Sequence, residues 1–234
     1  MSKKLINQKR AERILDRENI DGLVVTSPIN FYYVTGYWGL YYTPLGFDAC
    51  YFSVMPKDSS KTPGMVLPAL EVRRLETTGK PWIDNIVSYS SKGDGELFDD
   101  DFPKGQEYKG WPIDQNASLN PLEEKWRSVT QEFSGSYSEN SIQALIRAIK
   151  GADLDGKRVL IDDLRIEKWL TEETGINVDC IFRPDLFNEI RMVKTENEIE
   201  IMKEAAIINE QSMLAAIDFM ADGTTWEQLE NFYM

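Results

Sequence analysis

From Arg191 to Gly223 the sequence reads R-M-V-K-T-E-N-E-I-E-I-M-K-E-A-A-I-I-N-E-Q-S-M-L-A-A-I-D-F-M-A-D-G, and this stretch restricts the folding choices of the chain most. Thr195 followed by Glu198 forms a capping box. The Thr hydroxyl can accept the Glu198 N–H while the Glu carboxylate reaches back to the Thr amide. Ile199, Met202, Ala206, Met213, Ala216 and Met220 then recur every three or four residues, which makes one apolar stripe on a long helix. Gly223 is expected to close it, since glycine tolerates the left-handed backbone of a helix end. Thr224 and Glu227 are expected to cap a further helix, W-E-Q-L-E-N-F-Y-M, which stops after about three turns. So short a helix buries little of its apolar side, and the stretch is expected to open a domain whose bulk lies beyond these residues.

Upstream, short β-branched runs alternate with helical patterns. Residues 3–19 read as an amphipathic helix, Gly22–Ser27 as a buried strand that Pro28 stops, and Ala49–Met55 with Gly64–Pro68 as a hairpin around the turn-rich P-K-D-S-S-K-T-P-G. Ala69–Thr78 reads as a helix ended by Gly79, and Ile83–Tyr89 as a strand. Ser90–Asn120 is rich in Gly, Asp, Lys and Pro and is expected to be a long irregular insertion held by Phe102, Tyr108 and Trp111. Beyond it come a helix over Ser138–Lys150, a strand over Lys157–Ile161, a helix over Leu164–Thr174 and a strand over Ile176–Cys180. Alternation of this kind favours an α/β layer arrangement with some antiparallel pairing from the hairpin.

Ten of the 26 aromatic residues fall between Phe31 and Phe52. Phe31, Val34 and Phe52 are expected in the core. Gly36 and Gly39 bracket Tyr37 and Trp38 and allow a sharp turn, so that Tyr37, Trp38, Tyr41 and Tyr42 are expected to form an apolar ledge for a partner subunit or a ligand.

Several chemistries are excluded or disfavoured. The sequence has no histidine, hence no Ser-His or Cys-His pair and no imidazole metal ligand within it. Gly151–Arg158 imitates a phosphate-binding loop, but Arg158 replaces the hydroxyl residue, the loop precedes a strand, and Asp153 and Asp155 repel phosphate. The runs Asp99–Asp101, Glu123–Glu124 and Asp162–Asp163 lack calcium-loop spacing and read as solvated surface. A net charge of −13 argues against nucleic acid as a partner. Cys50 and Cys180 are far apart and read as free thiols of a cytoplasmic chain. No signal-peptide pattern and no apolar run of about 18 residues appears, which gives no membrane association.

Two segments together resemble the creatinase/prolidase/aminopeptidase P family, the pita-bread enzymes. D-G-L-V-V-T-S-P-I-N-F-Y-Y-V-T-G-Y, with Asn30, Tyr33, Thr35, Gly36 and Tyr37, is similar to the family's N-terminal strand and loop. Arg191, Lys194-Thr195, Glu198-Ile199, Ala205-Ala206, Gly223 and Thr225 are similar to the opening of its catalytic domain, although Trp226 precedes Glu227 where the family often has the Glu directly. Residues from about 90 to 140 show no such likeness. The resemblance implies a mixed sheet of about six strands flanked by helices over residues 1–188, followed over 189–234 by a linker and the first helices of an incomplete pita-bread domain. It implies a non-catalytic domain for dimerisation and substrate gating in a Xaa-Pro dipeptidase or aminopeptidase-like metallohydrolase. The whole protein would be a homodimer acting on small peptides with two divalent ions (Mn, Co or Zn), held by Asp, Asp, His, Glu and Glu downstream of this sequence. The alternative is a ligand-binding or interaction domain of a non-peptidase on the same fold, whether a lyase, a creatinase-type enzyme or an inactive member.

Overall fold

The computed structural model describes residues 3–89 and 116–233. Most of the expected insertion, with Phe102, Tyr108, Trp111 and the Asp99–Asp101 run, lies outside the described residues. The chain divides into two compact units, Met1–Val193 and Lys194–Met234. The division thus falls five residues after the 188/189 boundary expected from sequence.

The first unit is built on a six-stranded mixed sheet flanked by helices. Its strands are β1 (Gly22–Val25), β2 (Phe52–Pro56), β3 (Gly64–Pro68), β4 (Asn85–Tyr89), β5 (Arg158–Ile161) and β6 (Asp179–Phe182), in the spatial order β4-β3-β2-β1-β5-β6. β2 pairs antiparallel with both β1 and β3, whereas β1–β5, β5–β6 and β3–β4 are parallel. It follows that β2 alone runs against the other five, and the carboxyl ends of those five share one edge. β1, β2 and β3 are buried at every residue, as strands covered on both faces must be.

Among the described residues eight α-helices accompany the sheet: α1 (Gln8–Arg17), α2 (Pro28–Thr35), α3 (Tyr42–Leu45), α4 (Ala69–Thr78), α5 (Pro121–Glu132), α6 (Ser141–Gly151), α7 (Leu164–Glu172) and α8 (Pro184–Met192). Alternate strand residues Val24, Val54, Val66, Val87, Val159 and Ile161 form one core with Ala144, Leu145, Ala148 and Ile149 of α6 and with Ile166 and Leu170 of α7. Leu23 and Met55 point the opposite way by the period-two rule of strands, and Ala11 and Leu15 of α1 line the gap beside them.

Beside the single turn of α3, three longer helices depart from the sequence reading. Pro28 does not end in a loop; it occupies the first turn of α2, where its missing N–H costs nothing. Asn30, Phe31, Tyr33, Val34 and Thr35 are all buried, so α2 lacks the one-sided stripe that would have marked it as helical. α5 also starts on a proline and carries a full capping box between Asn120 and Glu123. α8 starts on Pro184 and buries Leu186, Phe187 and Ile190. The imitation phosphate loop is the connection from α6 to β5, in keeping with a plain helix-to-strand turn.

The second unit holds α9 (Glu196–Phe219) and α10 (Trp226–Tyr233). The Thr195–Glu198 capping box is formed, with Glu198 N–H donating to Thr195 Oγ1 at 3.2 Å and Thr195 N–H to Glu198 Oε2 at 2.9 Å. α9 ends at Phe219, ahead of Gly223, which sits at φ +90° in the connecting turn. The second box is displaced by one residue: Thr225 and Gln228 exchange its hydrogen bonds at 2.9 and 3.2 Å. Phe219 and Phe232 stack at 4.4 Å and join the two helices.

Candidate functional site

The aromatic loop follows α2. Gly36 terminates that helix in the left-handed conformation, φ +69°, with its N–H on Tyr32 O at 2.7 Å. Thr35 Oγ1 donates to Phe31 O at 2.8 Å and accepts the Tyr37 N–H at 3.0 Å. The chain is therefore turned by a helix cap and one hydroxyl before it reaches the rings.

The four rings expected as a ledge divide by burial. Tyr37 and Tyr42 are buried, at 3% and 5% exposure, Tyr41 is half-buried, and Trp38 is 49% exposed. Tyr37 turns inward and donates its hydroxyl to Glu71 Oε2 of α4 at 2.5 Å. Tyr42 donates to Thr26 O at 3.1 Å, and its ring lies 4.7 Å from that of Tyr51. The Tyr41 N–H donates to the Tyr51 hydroxyl at 3.2 Å. Trp38 lies between Tyr32, edge-on at 6.0 Å, and Tyr42, tilted at 5.4 Å. Leu40 and Leu45, on the same loop and the helix after it, are exposed at 44% and 51%. The apolar surface offered by this region is thus Trp38 with aliphatic neighbours, on a base of buried tyrosines. A Cβ at Gly39 would meet the Tyr51 ring at 2.5 Å, so only glycine lets the loop backbone lie this close to that ring.

Two carboxylates organise the surroundings, Glu71, which carries no sequence signal, and Asp162. Glu71 has no exposed surface and accepts from Tyr37, from Leu40 N–H at 3.2 Å and from Arg74 Nη1 at 3.2 Å. Asp162, read from sequence as solvated surface, is turned inward instead. It accepts from Thr26 N–H at 2.9 Å, from Ser27 N–H at 3.1 Å, from the Ser27 hydroxyl and from Asn30 Nδ2 at 3.1 Å. It thereby supplies the negative charge at the amino end of α2. In an open α/β sheet the crevice beyond the strand carboxyl ends is the usual ligand position; here, between β1 and β5, the chain's own carboxylate occupies it. Asn30 Oδ1 in turn accepts from Arg191 Nη1 at 2.7 Å. Asn30 and Arg191, motif residues from opposite ends of the sequence, therefore meet, and Thr35, Gly36 and Tyr37 also serve the local fold.

Burial raises the Tyr37, Tyr42 and Tyr51 hydroxyls above the ordinary phenol range, with the Glu71 hydrogen bond adding to the effect at Tyr37. Burial also pushes the Asp162 carboxyl up, against the pull of its donors. These hydroxyls stay neutral near pH 7 and are not poised as bases. Both cysteines are free, and burial lifts the Cys180 thiol to about 11. Among the described residues no three His, Cys, Asp or Glu side chains converge as a metal-binding group, so they do not fit the pair of divalent ions that the resemblance implies. No helix among them is long and apolar enough to cross a membrane. The arrangement leaves the Trp38 indole and its aliphatic neighbours Leu40 and Leu45 as an exposed apolar surface.

A family model described as Creatinase/Prolidase N-terminal domain matches residues 8–166. No curated protein matches the sequence. Solved structures of similar fold include the prolidase from Thermococcus sibiricus, 17% identical with a TM-score of 0.55, covering 97% of this chain and 47% of that one. The Xaa-Pro dipeptidase from Bacillus anthracis is 15% identical with a TM-score of 0.55, covering 97% and 46%. The prolidase from Pyrococcus horikoshii OT3 is 15% identical with a TM-score of 0.51, covering 97% and 46%. At such identities the likeness is one of fold, and the present chain spans less than half the length of each.

Proposed function

Because the chain belongs to the creatinase/prolidase N-terminal domain family, we propose that it is the non-catalytic dimerisation and substrate-gating domain of a metal-dependent Xaa-Pro dipeptidase or aminopeptidase-like hydrolase. In this reading the whole protein is a cytoplasmic homodimer acting on small peptides, and its divalent ions are held outside the described residues. Trp38 is the contact residue, with Tyr41 and the edge of Tyr42 beside it, and Tyr37 acts from below as support. The observation that carries the proposal is a half-exposed tryptophan on a loop whose neighbours are all tied to the core. Water gains little from such a ring, whereas a partner surface or a peptide side chain can cover it, and tryptophan is among the commonest interface anchors.

The test is Trp38→Ala in the whole protein. Trp38 is only half buried, so its truncation is expected to cost about 2 kcal/mol of stability, roughly half the 3–5 typical of a core aromatic. Dimer dissociation or KM is expected to rise roughly tenfold or more. A collapse of the melting temperature with dimerisation and KM unchanged would make Trp38 a core residue and remove the contact assignment.

A further inference from the structure

Glu71 is the one acidic residue with no exposed surface among the described residues. A carboxylate withdrawn from water persists only where donors surround it. Arg74, on the same helix, supplies one set at 3.2 and 3.4 Å. Two more donors come from the aromatic loop: the Tyr37 hydroxyl at 2.5 Å on Oε2 and the Leu40 N–H at 3.2 Å on Oε1. These two residues flank Trp38 and Gly39. One side chain on α4 therefore closes a ring around the two-residue tip and grips it on both sides.

We propose that Glu71 is the positioning residue of the loop, holding the Trp38 ring outward in one orientation for whatever it contacts. The value of this orientation rests on the contact role given to Trp38 above; the positioning itself is a separate property of the loop. With residues 37 and 40 both bound to the same carboxylate, the intervening peptides cannot pivot independently. Two further restraints complete the grip, the Gly39 backbone against the Tyr51 ring and the Tyr41 N–H on the Tyr51 hydroxyl. They act on the side of the loop away from the Tyr37 hydroxyl, so without Glu71 the Tyr37 side chain loses its bond to the carboxylate, leaving that end the Tyr37 N–H on Thr35 Oγ1, while the Tyr51 end keeps both of its restraints. The consequence is a loop that pivots about residues 39–41, with the Trp38 indole sampling several positions.

The experiment is ¹⁹F NMR of the 234-residue chain labelled with 5-fluorotryptophan, the Trp38 resonance being assigned with Trp38→Phe, together with amide hydrogen exchange. In Glu71→Ala the Trp38 resonance is expected to move toward the unfolded-chain position. Exchange at Leu40 is expected to rise about tenfold or more through local opening, while the Leu23–Val25 amides stay protected. Glu71→Gln is expected to restore most of both signals, because its amide oxygen still accepts the Leu40 N–H and its nitrogen can donate to the Tyr37 oxygen. Tyr37→Phe, which removes one of the two loop tethers and keeps the other, is expected to fall between. A Trp38 resonance and a Leu40 exchange rate in Glu71→Ala equal to wild type overturn the proposal, whatever the melting temperature does. If Glu71→Ala does not fold, Tyr37→Phe decides: both signals unchanged there overturn it as well. Neither readout involves association or turnover, so failure here and failure of the contact role are separate results.

Discussion

Removing the Asp162 carboxylate is the sharpest test of how this fold is held at the carboxyl edge of its sheet. Asp162 accepts four hydrogen bonds, from Thr26 N–H, Ser27 N–H, the Ser27 hydroxyl and Asn30 Nδ2. In Asp162→Ala the two Ser27 donors have a route to water, because Ser27 is only half-buried. Thr26 at 1% exposure and Asn30 at 8% have none. Two donors left without partners cost about 1–3 kcal/mol each. Part of this is offset because a desolvated charge disappears with the carboxylate. The expected net loss is about 2–4 kcal/mol, which for a unit of this size lowers the melting temperature by roughly 5–15 °C. Asp162→Asn keeps the shape and one acceptor oxygen but turns an NH₂ toward at least one donor, and about half that loss is expected.

The pH dependence has a definite sign. Burial raises the folded-state pKa of Asp162 above the ordinary 3.8. Between those two values the folded chain binds more protons than the unfolded one, so this group's contribution is full below 3.8 and is lost as pH rises through the folded value. The stability gap between wild type and Asp162→Asn should therefore widen as the solution is acidified toward pH 4. Thermal melts by circular dichroism over that range are the assay. A melting point for Asp162→Ala within about 2 °C of wild type would refute the hydrogen-bond argument, since that shift corresponds to about 0.5–1 kcal/mol, below the expected loss. A gap that narrows on acidification would show that the four donors outweigh burial.

Two other outcomes follow from the packing. Gly39→Ala places a Cβ 2.5 Å from ring atoms of Tyr51, and the resulting overpacking is expected to cost about 1–3 kcal/mol; an unchanged melting temperature would mean the loop can withdraw from the ring freely. In the second unit Ile199, Met202, Ile207, Ile208, Met213 and Leu214 of α9 are exposed, and a helix without a packed face gains little from propensity alone. Its amides are expected to exchange faster than those of Leu23–Val25, and equal protection in a dilute monomer would contradict this.

Local signals determined much of this protein. The Thr195–Glu198 box, the bounds of α4, the β3 strand and the hairpin to β2 are all written in neighbouring residues, because capping, turn chemistry and strand periodicity act over a few positions. The family likeness was legible in the same way, from two short motifs. What tertiary structure decided was everything that depends on partners far along the chain. The parallel pairing of β1 with β5 brings residues some 137 positions apart into register, as with Gly22 and Val159, and no local pattern encodes that choice. α2 escaped detection because it is buried nearly all round, and its proline looked like a stop when it was a start. The same reason explains the site. Tyr37, Trp38, Tyr41 and Tyr42 look equivalent in sequence; which ring turns inward is set by a carboxylate on α4 and a carbonyl at the end of β1. Asp162 reads as an ordinary surface acid and Glu71 carries no signal at all, since burial of a carboxylate is a property of the atoms that close around it, and those atoms arrive only when the sheet assembles.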